Sequence, residues 1–447
     1  MGTVISLSVS GVDVTWSKNS LGIDHGELFQ SKDHYIRPLD SEELEEGEEL
    51  LNDPEHILFR TVLRRPLGDV LRRLELLGYT LGTARAEYDL MVKKYISDRD
   101  GYISYAHDST NAHQELMSFD EFVSFIKLHN LSELDGEYVN LVDRNENKSR
   151  VRGRFTDENV LKRIPFYQNE FESAWSEKNG FGNLINILHP YSVLRVLAEN
   201  ESNRNEFVEW DYGALVSNGW ANLNDVVAGA SRLSTFLIAT EGSSDSNILE
   251  KALELLRPDI KDYFKFIDMK SGHPFPGTGN LLKFADGLVK IDVQNLIVFV
   301  LDNDCEGIEA FNKIQSLNLP DNMSCMHLPD LDDFCAFPAH GPHGITNEDV
   351  NGRAVAIECY LDLTLTDYEP AIIRWTNYKK ELKNYQGSLE NKDYYTKKFM
   401  ALRENSQEFE GYDFSKISKV LDEMIATCSK IAVSIRHKQL EAIYPEV

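Results

Sequence analysis

Cysteine is scarce in this chain of 447 residues. Its five cysteines are odd in number, lie far apart and include no C-x-x-C pair, so they indicate neither a disulfide framework nor a zinc site. A long apolar run is also missing, since no stretch of about 18 apolar residues is available to cross a bilayer. The opening residues, MGTVISLSVSGVDV, lack the basic region and apolar core of a signal peptide. We therefore expect reduced thiols, no membrane partner and a cytoplasmic location.

Basic residues are outnumbered as well. The chain has 46 Lys and Arg against 73 Asp and Glu, which gives a formal net charge of −27. This balance argues against broad, non-specific adhesion to nucleic acid or anionic lipid. It does not exclude a nucleic-acid enzyme whose basic residues are concentrated locally. Apolar residues make up 42% of the chain, which is enough for more than one hydrophobic core and predicts several domains.

Two ligand-binding signatures are incomplete. The segment PGTGNLLK, from Pro276 to Lys283, lacks the G-K-[ST] ending of a P-loop, and a turn capping the following helix explains it better. The chain therefore encodes no ATPase motor, and a separate ATPase or sensor protein would have to supply nucleotide sensing. His340 and His343 lie in a Pro/Gly-rich loop without a second matched pair, which disfavours zinc.

The first 230 residues predict a mixed, largely helical region without a chemistry-bearing motif. Alternating apolar and polar residues from Thr3 to Thr15 predict a hairpin. Helical spacing runs from His56 to Ser97 and recurs at Phe119–Leu128 and Tyr191–Glu199. Basic residues at a period of two predict an extended strand with one basic face, which is either a solvated edge or a phosphate contact. These residues are Lys148, Arg150, Arg152 and Arg154.

Strands and helices alternate from about Ser234 onward. The predicted strands are FLIAT (Phe236–Thr240), Tyr263–Asp268, LIVFVL (Leu296–Leu301) and Ser324–Leu328, and the predicted helices are Asn247–Leu256, Asn280–Lys290 and Glu306–Gln315. This order predicts an α/β fold with an open parallel sheet and covering helices, whose ligands lie beyond the carboxyl ends of the strands. After Asp362 the pattern is helical to about Phe399, and a final amphipathic helix spans Ile417 to Arg436.

Two of these strands run directly into acidic residues. Glu241 follows FLIAT, and Asp245 lies four residues further on, near a helix start and on the same side. Asp302 and Asp304 follow LIVFVL and point to one side of an extended exit. Parallel strands end at one edge of a sheet, so both pairs should meet there. Oxygen ligands grouped in this way suit Mg²⁺ or Mn²⁺ and in-line attack on a phosphodiester.

This combination resembles the Toprim domain of topoisomerases, primases and OLD-family nucleases. The hallmarks of that domain are a glutamate after the first strand and a D-x-D after the third, which Glu241, Asp302 and Asp304 match. Gly307 matches the glycine of D-x-D-x-x-G, and Asp245 matches an aspartate of the OLD-type first motif. The resemblance implies that these four acids are metal ligands and that Glu241 is also catalytic.

The same resemblance implies two further site residues. A later glutamate supplies another metal ligand in such nucleases, and Glu358 in RAVAIECYLDL is the candidate, with a plain surface glutamate as the alternative. A downstream lysine lies near the scissile phosphate, and Lys392 in YQGSLENK is the candidate for this catalytic role.

The rest of the chain resembles bacterial HEPN/Toprim-associated proteins. The resemblance rests on Lys18-Asn19, on Asp24-His25 and on the Y-Q-G segment from Tyr385 to Lys392, and it implies an anti-phage role. HEPN ribonucleases use R-x(4–6)-H, but none of the twelve histidines has an arginine at that spacing. We therefore expect no second ribonuclease site.

The resemblance implies a Toprim domain between two other regions. It divides the chain into a mixed, mostly helical region at residues 1–230, a Toprim catalytic domain at 231–362 and a helical region at 363–447. In the last of these, the window Arg374–Lys398 holds seven basic and three acidic residues among aromatics. This window predicts either a nucleic-acid surface or amphipathic packing helices. The lysines in question are Lys379, Lys380, Lys383, Lys397 and Lys398.

The expected function is therefore a Mg²⁺- or Mn²⁺-dependent nuclease. We favour DNA as the substrate because OLD-type nucleases cut it, while RNA, including tRNA, stays open. The alternative is a non-hydrolytic Toprim module that binds nucleic acid or a nucleotide and acts through a partner. Strand passage or primer synthesis is disfavoured, because no catalytic-tyrosine region and no primase zinc motif is evident. Assembly into a homo-oligomer is left open by the sequence.

Overall fold

The computed structural model describes residues 2–39, 48–106, 115–140, 147–267, 277–364, 368–380 and 382–445. Contacts group the chain into two compact units. Unit 1 comprises Met1–Ala230 and Ile435–Val447, and unit 2 comprises Ser231–Ser434. The three-part division at residues 230 and 362 stays a prediction. None of the described helices combines the length and the apolarity needed to cross a membrane.

Unit 1 contains a five-stranded sheet. Its strands are β1 (Val4–Val9), β2 (Val12–Lys18), β3 (His34–Ile36), β4 (Thr61–Pro66) and β5 (Phe207–Trp210). They lie in the order β2-β1-β5-β4-β3, and every neighbouring pair is antiparallel. The predicted hairpin of β1 and β2 is confirmed. Its turn places Ser10 and Gly11 at positive φ values of 51° and 79°, a conformation that glycine adopts without strain.

The helices of unit 1 accompany this sheet, and most of them contribute to its main hydrophobic core. They are α1 (Pro54–Phe59), α2 (Leu67–Leu76), α3 (Leu81–Ala106), α4 (Phe119–Lys127), α5 (Lys148–Arg152), α6 (Glu158–Leu161), α7 (Glu177–Ile185), α8 (Pro190–Leu197) and α9 (Gly213–Ser217). The core includes Leu7 and Trp210 from the sheet together with Phe122 and Leu194 from helices. The helices predicted at Phe119–Leu128 and Tyr191–Glu199 are thus present as α4 and α8.

Two predictions for unit 1 need correction, the first of them only at β4, since α1, α2 and α3 are helices that cover most of the predicted range. The helical run from His56 to Ser97 is interrupted by β4. The buried residues Val62 and Leu63 are compatible with a helix or a strand, and this segment forms a strand because it pairs with β3 and β5. The basic stretch from Lys148 forms the short helix α5 rather than a strand. Its arginines form ion pairs with neighbouring carboxylates of unit 1, so they form neither a solvated strand edge nor a row of unpaired cations.

Unit 2 contains the predicted parallel sheet. Its strands are β6 (Phe236–Thr240), β7 (Phe264–Phe266), β8 (Leu296–Leu301) and β10 (Met323–His327), in the order β10-β8-β6-β7. All three strand pairs are parallel. Helices α10 (Ser243–Leu256), α11 (Thr278–Lys290) and α12 (Cys305–Gln315) alternate with the strands. The α/β prediction is confirmed for this part of the chain, while Asp268, the predicted end of the second strand, lies outside the described residues.

A second sheet follows within unit 2. It consists of β11 (Phe337–Gly341), β12 (Gly344–Glu348), β14 (Ile373–Lys379) and β15 (Asn384–Leu389), in the order β12-β11-β14-β15. Strands β11 and β14 are parallel, and the other neighbours are antiparallel. Two short strands pair with each other: β9 (Asn303–Asp304), which follows β8 of the first sheet in sequence, and β13 (Ala354–Val355), which follows β12 of the second.

The prediction of a helix from Asp362 to Phe399 was therefore wrong for most of that stretch. The sequence IRWTNYK of β14 is rich in β-branched and aromatic residues, which favour a pleated, half-buried strand. Helical structure resumes only later, in α13 (Lys392–Ala401), α14 (Gln407–Glu410) and α15 (Ser415–Ile443). The last of these contains the predicted terminal helix. The correction matters for the site, because β15 brings new side chains to the D-x-D segment.

Candidate active site

The end of β6 positions the first two acids. Gly242, in extended conformation, begins α10, and its N–H donates to Asp245 Oδ2 at 2.9 Å. A carboxylate in the first turn of a helix is favoured by the exposed N–H groups and by the positive end of the helix dipole. Glu241 is turned toward β8, where its Oε1 accepts from the Asp302 N–H at 3.0 Å. The two strand exits are thus joined directly through an acid of the first and the backbone of the second.

The D-x-D segment follows β8 and is held from two sides. Asp302 Oδ1 accepts from the Ile357 N–H at 3.2 Å, and Asp304 caps α12 by accepting from the Gly307 N–H at 2.8 Å. A Cβ on Gly307 would lie 2.2 Å from the carbonyl oxygen of Asp302. Only glycine fits at this position, which gives a packing reason for the glycine of D-x-D-x-x-G.

Glu358 is not a surface glutamate. It lies in the 3-10 turn Ile357–Tyr360 with 2% of its surface exposed. Its Oε1 accepts from Ser244 Oγ at 3.0 Å and lies 3.3 Å from Lys392 Nζ. Ser244 immediately precedes Asp245, and Lys392 is the first residue of α13. The two residues that resemblance alone suggested therefore contact each other beside the first acidic motif.

Five carboxylates, which we call the carboxylate cluster, influence one another electrostatically. Burial is the main cause that raises the pKa of Glu241 to about 8. The hydrogen bond from the Asp302 N–H opposes this shift, and the negative charges of Asp304 and Asp245 add to it. Burial and the charge of Glu358 raise the pKa of Asp245 to about 7. The pKa values of Asp302 and Asp304 are also raised, mainly by burial. The members of the cluster are Glu241, Asp245, Asp302, Asp304 and Glu358.

Lys392 is the cation that contacts this cluster in the described part of the chain. Burial alone would lower the pKa of Lys392, but the negative charges of Glu358, Asp302 and Asp245 outweigh that effect and raise the pKa above its usual value. The ammonium group is therefore charged at neutral pH. One lysine against five carboxyl groups leaves the cluster short of positive charge, which agrees with the raised pKa values of four of its members.

The donor set of the cluster fits a hard divalent cation. It offers carboxylate oxygens only, which are the donors that Mg²⁺ and Mn²⁺ prefer, and a bound cation would oppose the effects that raise these pKa values. Among the described residues, however, no three Asp, Glu, His or Cys side chains are already arranged as the ligands of one ion. Metal binding would thus require the carboxylates to move closer together, as expected once their mutual repulsion is neutralised.

The N-terminal half of the chain identifies its family. Residues 1–234, just over half of the chain, match HEPN/Toprim N-terminal domain 1. The chain belongs to this HEPN/Toprim family. Neither the curated proteins nor the solved structures contain a match to it. The matched range ends just before β6, so the carboxylate cluster of this HEPN/Toprim protein lies outside it and is interpreted from its own geometry.

The five lysines predicted to bind nucleic acid lie in two parts of unit 2, the hairpin of β14 and β15 and the helix α13. Lys379 ends β14 and forms an ion pair with Glu306, which lies two residues after Asp304. Lys380 and Lys383 are exposed at the turn between β14 and β15, and Lys397 and Lys398 are exposed on α13, the helix that Lys392 begins. Both groups are therefore attached to elements that contact the carboxylate cluster.

Gln386 is a site residue that the sequence interpretation missed. It lies on β15, its Nε2 donates to Asp304 Oδ2, and its own Oε1 is buried without a hydrogen-bond partner. Asn303, the middle residue of D-x-D, is fully buried and bonds to Asp330 and to the Gly352 N–H. The Y-Q-G segment was a signal for Gln386, but a helical interpretation of that stretch gave it no neighbour.

Proposed function

We propose that unit 2 of this HEPN/Toprim protein is a Mg²⁺- or Mn²⁺-dependent Toprim nuclease that hydrolyses phosphodiester bonds of nucleic acid, with DNA favoured over RNA. The observation that carries the proposal is the carboxylate cluster at the carboxyl edge of a parallel sheet, with a lysine contacting it. An α/β sheet places its ligands at this edge, and buried like charges without compensation are typical of functional sites. The family membership and the resemblance to OLD-type motifs support the same interpretation.

The residues of the cluster suit separate tasks in such a reaction. A bound divalent cation would activate water and neutralise charge on the leaving oxygen. Glu241, at the exit of β6, can accept a proton from the attacking water in its ionised form, which a bound cation would favour by opposing the effects that raise its pKa. Lys392 is half exposed while its Nζ lies 3.3 Å from Glu358, so it can donate to a phosphate oxygen without leaving the site. Asp245, Asp302, Asp304 and Glu358 would hold the metal.

The biological setting belongs to the proposal as well. We propose that the protein is a cytoplasmic effector of a bacterial anti-phage defence system. Since its sequence contains no P-loop, activation by a nucleotide would depend on a separate ATPase or sensor protein. The resemblance to bacterial HEPN/Toprim-associated proteins is the basis for this setting.

One observation favours a second candidate function. The cluster is not arranged as a finished metal site in the described part of the chain, which fits a non-hydrolytic module that binds nucleic acid or a nucleotide and acts through a partner. The two functions differ in turnover. A sensor would bind in a metal-dependent way and leave its substrate intact.

A cleavage assay on the full-length protein tests the proposal. Plasmid, single-stranded DNA and tRNA are incubated with Mn²⁺ and with wild type, Glu241→Gln or the control Glu254→Gln, an exposed glutamate of α10. We expect cleavage by wild type and by the control, and a loss of at least about 100-fold in Glu241→Gln. The nuclease proposal fails if no substrate is cut or if Glu241→Gln cuts at the wild-type rate. Metal-dependent binding without products would support the sensor.

A further inference from the structure

The hairpin of β14 and β15 carries two exposed aromatic rings side by side. Tyr378 and Tyr385 are directly opposite each other in the register. Their ring centroids lie 5.0 Å apart at an interplanar angle of 63°. The residues are 51% and 43% exposed, so a large part of each ring is accessible to solvent. We call this pair the tyrosine step.

Trp375 and Arg353 pack next to the tyrosine step. The ring of Trp375 lies 6.4 Å from that of Tyr385, and the guanidinium of Arg353 lies 4.2 Å from the centre of the Trp375 ring. Gly387, opposite Trp375, leaves the space that this indole occupies, since a Cβ there would lie 2.8 Å from it. These contacts fix the position of the hairpin face, and the two tyrosine rings remain exposed to solvent.

Another aromatic group of unit 2 shows what a packing role looks like. Tyr368 and Tyr394 stack with ring centroids 3.7 Å apart, and Tyr395 beside them is 1% exposed. Aromatic rings that stabilise a fold bury most of their surface in this way. The tyrosine step retains about half of its surface, which is the condition for stacking with a ligand.

The tyrosine step adjoins the carboxylate cluster. Tyr385 precedes Gln386, whose amide donates to Asp304, and the carbonyl of Tyr385 accepts from Cys305 Sγ at 3.6 Å. Successive residues of a strand are only about 3.3 Å apart along its axis. Their side chains point to opposite faces of the strand, so the tyrosine step is joined to the cluster through the backbone of β15, and a base on Tyr385 would be about one or two nucleotides from a phosphate held at the cluster.

The charge at the hairpin tip has the sign that a nucleic-acid backbone requires. Lys380 and Lys383 are exposed at the turn next to the tyrosine step, in a chain whose formal net charge is −27. Their ammonium groups can contact phosphates, while the tyrosine rings can contact bases. Basic and aromatic residues combined at one place match the chemistry of a single strand, which exposes both.

We propose that the tyrosine step binds unpaired bases by stacking and makes single-stranded nucleic acid the preferred substrate of this site. In a duplex both faces of each base are covered by neighbouring base pairs, so only an unpaired base can stack on Tyr378 or Tyr385. Stacking of this kind tolerates any sequence. The inference rests on the proposed nuclease function for its consequence, but the binding it describes does not require cleavage.

Binding in EDTA separates this inference from the nuclease proposal. The full-length protein is titrated against a fluorescent 20-nucleotide single strand, its duplex, and an abasic strand of the same length and charge. Wild type should bind the single strand more tightly than the duplex or the abasic strand. The double variant Tyr378→Leu/Tyr385→Leu should weaken binding of the single strand by about 10-fold or more and leave duplex binding unchanged.

Two control variants keep the test specific. Tyr138→Leu removes a tyrosine of unit 1 that is 64% exposed and should bind like wild type. Tyr378→Phe/Tyr385→Phe keeps both rings and should also bind like wild type, whereas a merely destabilised hairpin would fail in both double variants.

Three outcomes would overturn the inference. They are equal wild-type affinity for single strand and duplex, equal loss of affinity for all three ligands in the leucine variant, and no wild-type binding at all. Single-strand binding that depends on the tyrosines, without products when Mn²⁺ is added, would instead reject the nuclease proposal and leave the tyrosine step standing.

Discussion

Both units bury ionisable side chains, but the Glu87 network of unit 1 and the carboxylate cluster of unit 2 differ in how their charges are balanced. Glu87 and Arg436 are each 5% exposed and lie 3.0 Å apart, and Glu87 also accepts from Ser192 Oγ and the His189 N–H. Arg73, with no exposed surface, donates to two backbone carbonyls. In unit 2, Lys392 lies 3.3 Å from Glu358, one of the five carboxylates of the cluster, and the described part of the chain shows no ion pair for the other four.

This difference separates a structural network from a functional one. A buried charge whose partner is lost costs several kcal/mol, so the acids of unit 1 stabilise the fold only as part of their pairs. In the carboxylate cluster, burial and mutual repulsion instead raise the pKa values of Glu241, Asp245, Asp302 and Asp304, so ionising these acids destabilises unit 2, and the proposed cation would relieve that cost. Excess buried charge of one sign is therefore the better guide to the site.

The largest effect should come from breaking the pair in unit 1. Glu87→Ala leaves Arg436 buried without its carboxylate, and we expect a loss of about 3–5 kcal/mol in the free energy of unfolding. Thermal unfolding monitored by circular dichroism should show this as a lower midpoint of the unit 1 transition. The double variant Glu87→Ala/Arg436→Met should recover part of the loss. A single variant as stable as wild type would show that the pair contributes little.

The next effect tests a residue that only orients the cluster. Gln386→Ala removes the amide that donates to Asp304, and we expect Mn²⁺-dependent cleavage to fall by about 10- to 100-fold, the usual cost of losing a hydrogen bond to a metal ligand. Thermal midpoints should change little. If Gln386 has a structural role instead, the stability of Gln386→Ala will fall, and its cleavage rate per folded molecule will stay at the wild-type value.

A matched glutamine keeps that experiment specific. Gln294 is exposed, and its side chain donates to the carbonyl of Asp292, two residues away, so Gln294→Ala should cleave like wild type. Gln386→Asn offers a graded comparison, because it keeps the amide but shortens its reach. Equal rates for Gln386→Ala and Gln294→Ala would remove Gln386 from the site.

The parallel sheet of unit 2 could be predicted closely. Phe236–Thr240 and Leu296–Leu301 have the predicted bounds, because strands covered on both faces are apolar throughout and are followed by polar turns. The positions of Glu241 and Asp302 at one edge then follow from parallel pairing. These features depend on local composition and a general rule of topology, both of which a sequence reveals.

The contribution of β15 could not be predicted in the same way. Gln386 meets an acid 82 residues earlier in the chain, and a polar residue in a mixed stretch carries no sign of such a partner. Strand β14 similarly alternates exposed and half-buried residues without a clear period. Glu358 and Lys392 were found only through resemblance, since their contact joins a 3-10 turn and a helix start. Tertiary pairing decides such positions.

The smallest expected effect concerns the pH dependence of the cluster itself. Folding raises the pKa of Glu241 to about 8 and that of Asp245 to about 7 from ordinary values near 4, and it also raises the pKa of Asp302. Between about pH 4 and pH 8 these three carboxyl groups therefore bind more protons in the folded protein than in the unfolded chain, so their contribution to the metal-free stability falls as the pH rises. Asp302→Asn removes one repelling charge and should weaken this dependence.

The measurement compares thermal midpoints in EDTA at pH 5 and pH 9. We expect Asp302→Asn to gain on wild type by about 2–4 °C more at pH 9 than at pH 5, because its advantage appears only when the neighbouring acids are ionised. Asp286→Asn, which removes an aspartate from an exposed i,i+4 ion pair of α11, should show no such difference. Added Mn²⁺ should stabilise wild type more than Asp302→Asn, since a cation binds the ionised acids. A constant difference between the two proteins at both pH values, with no response to Mn²⁺, would mean that the buried acids of unit 2 are as well compensated as those of unit 1.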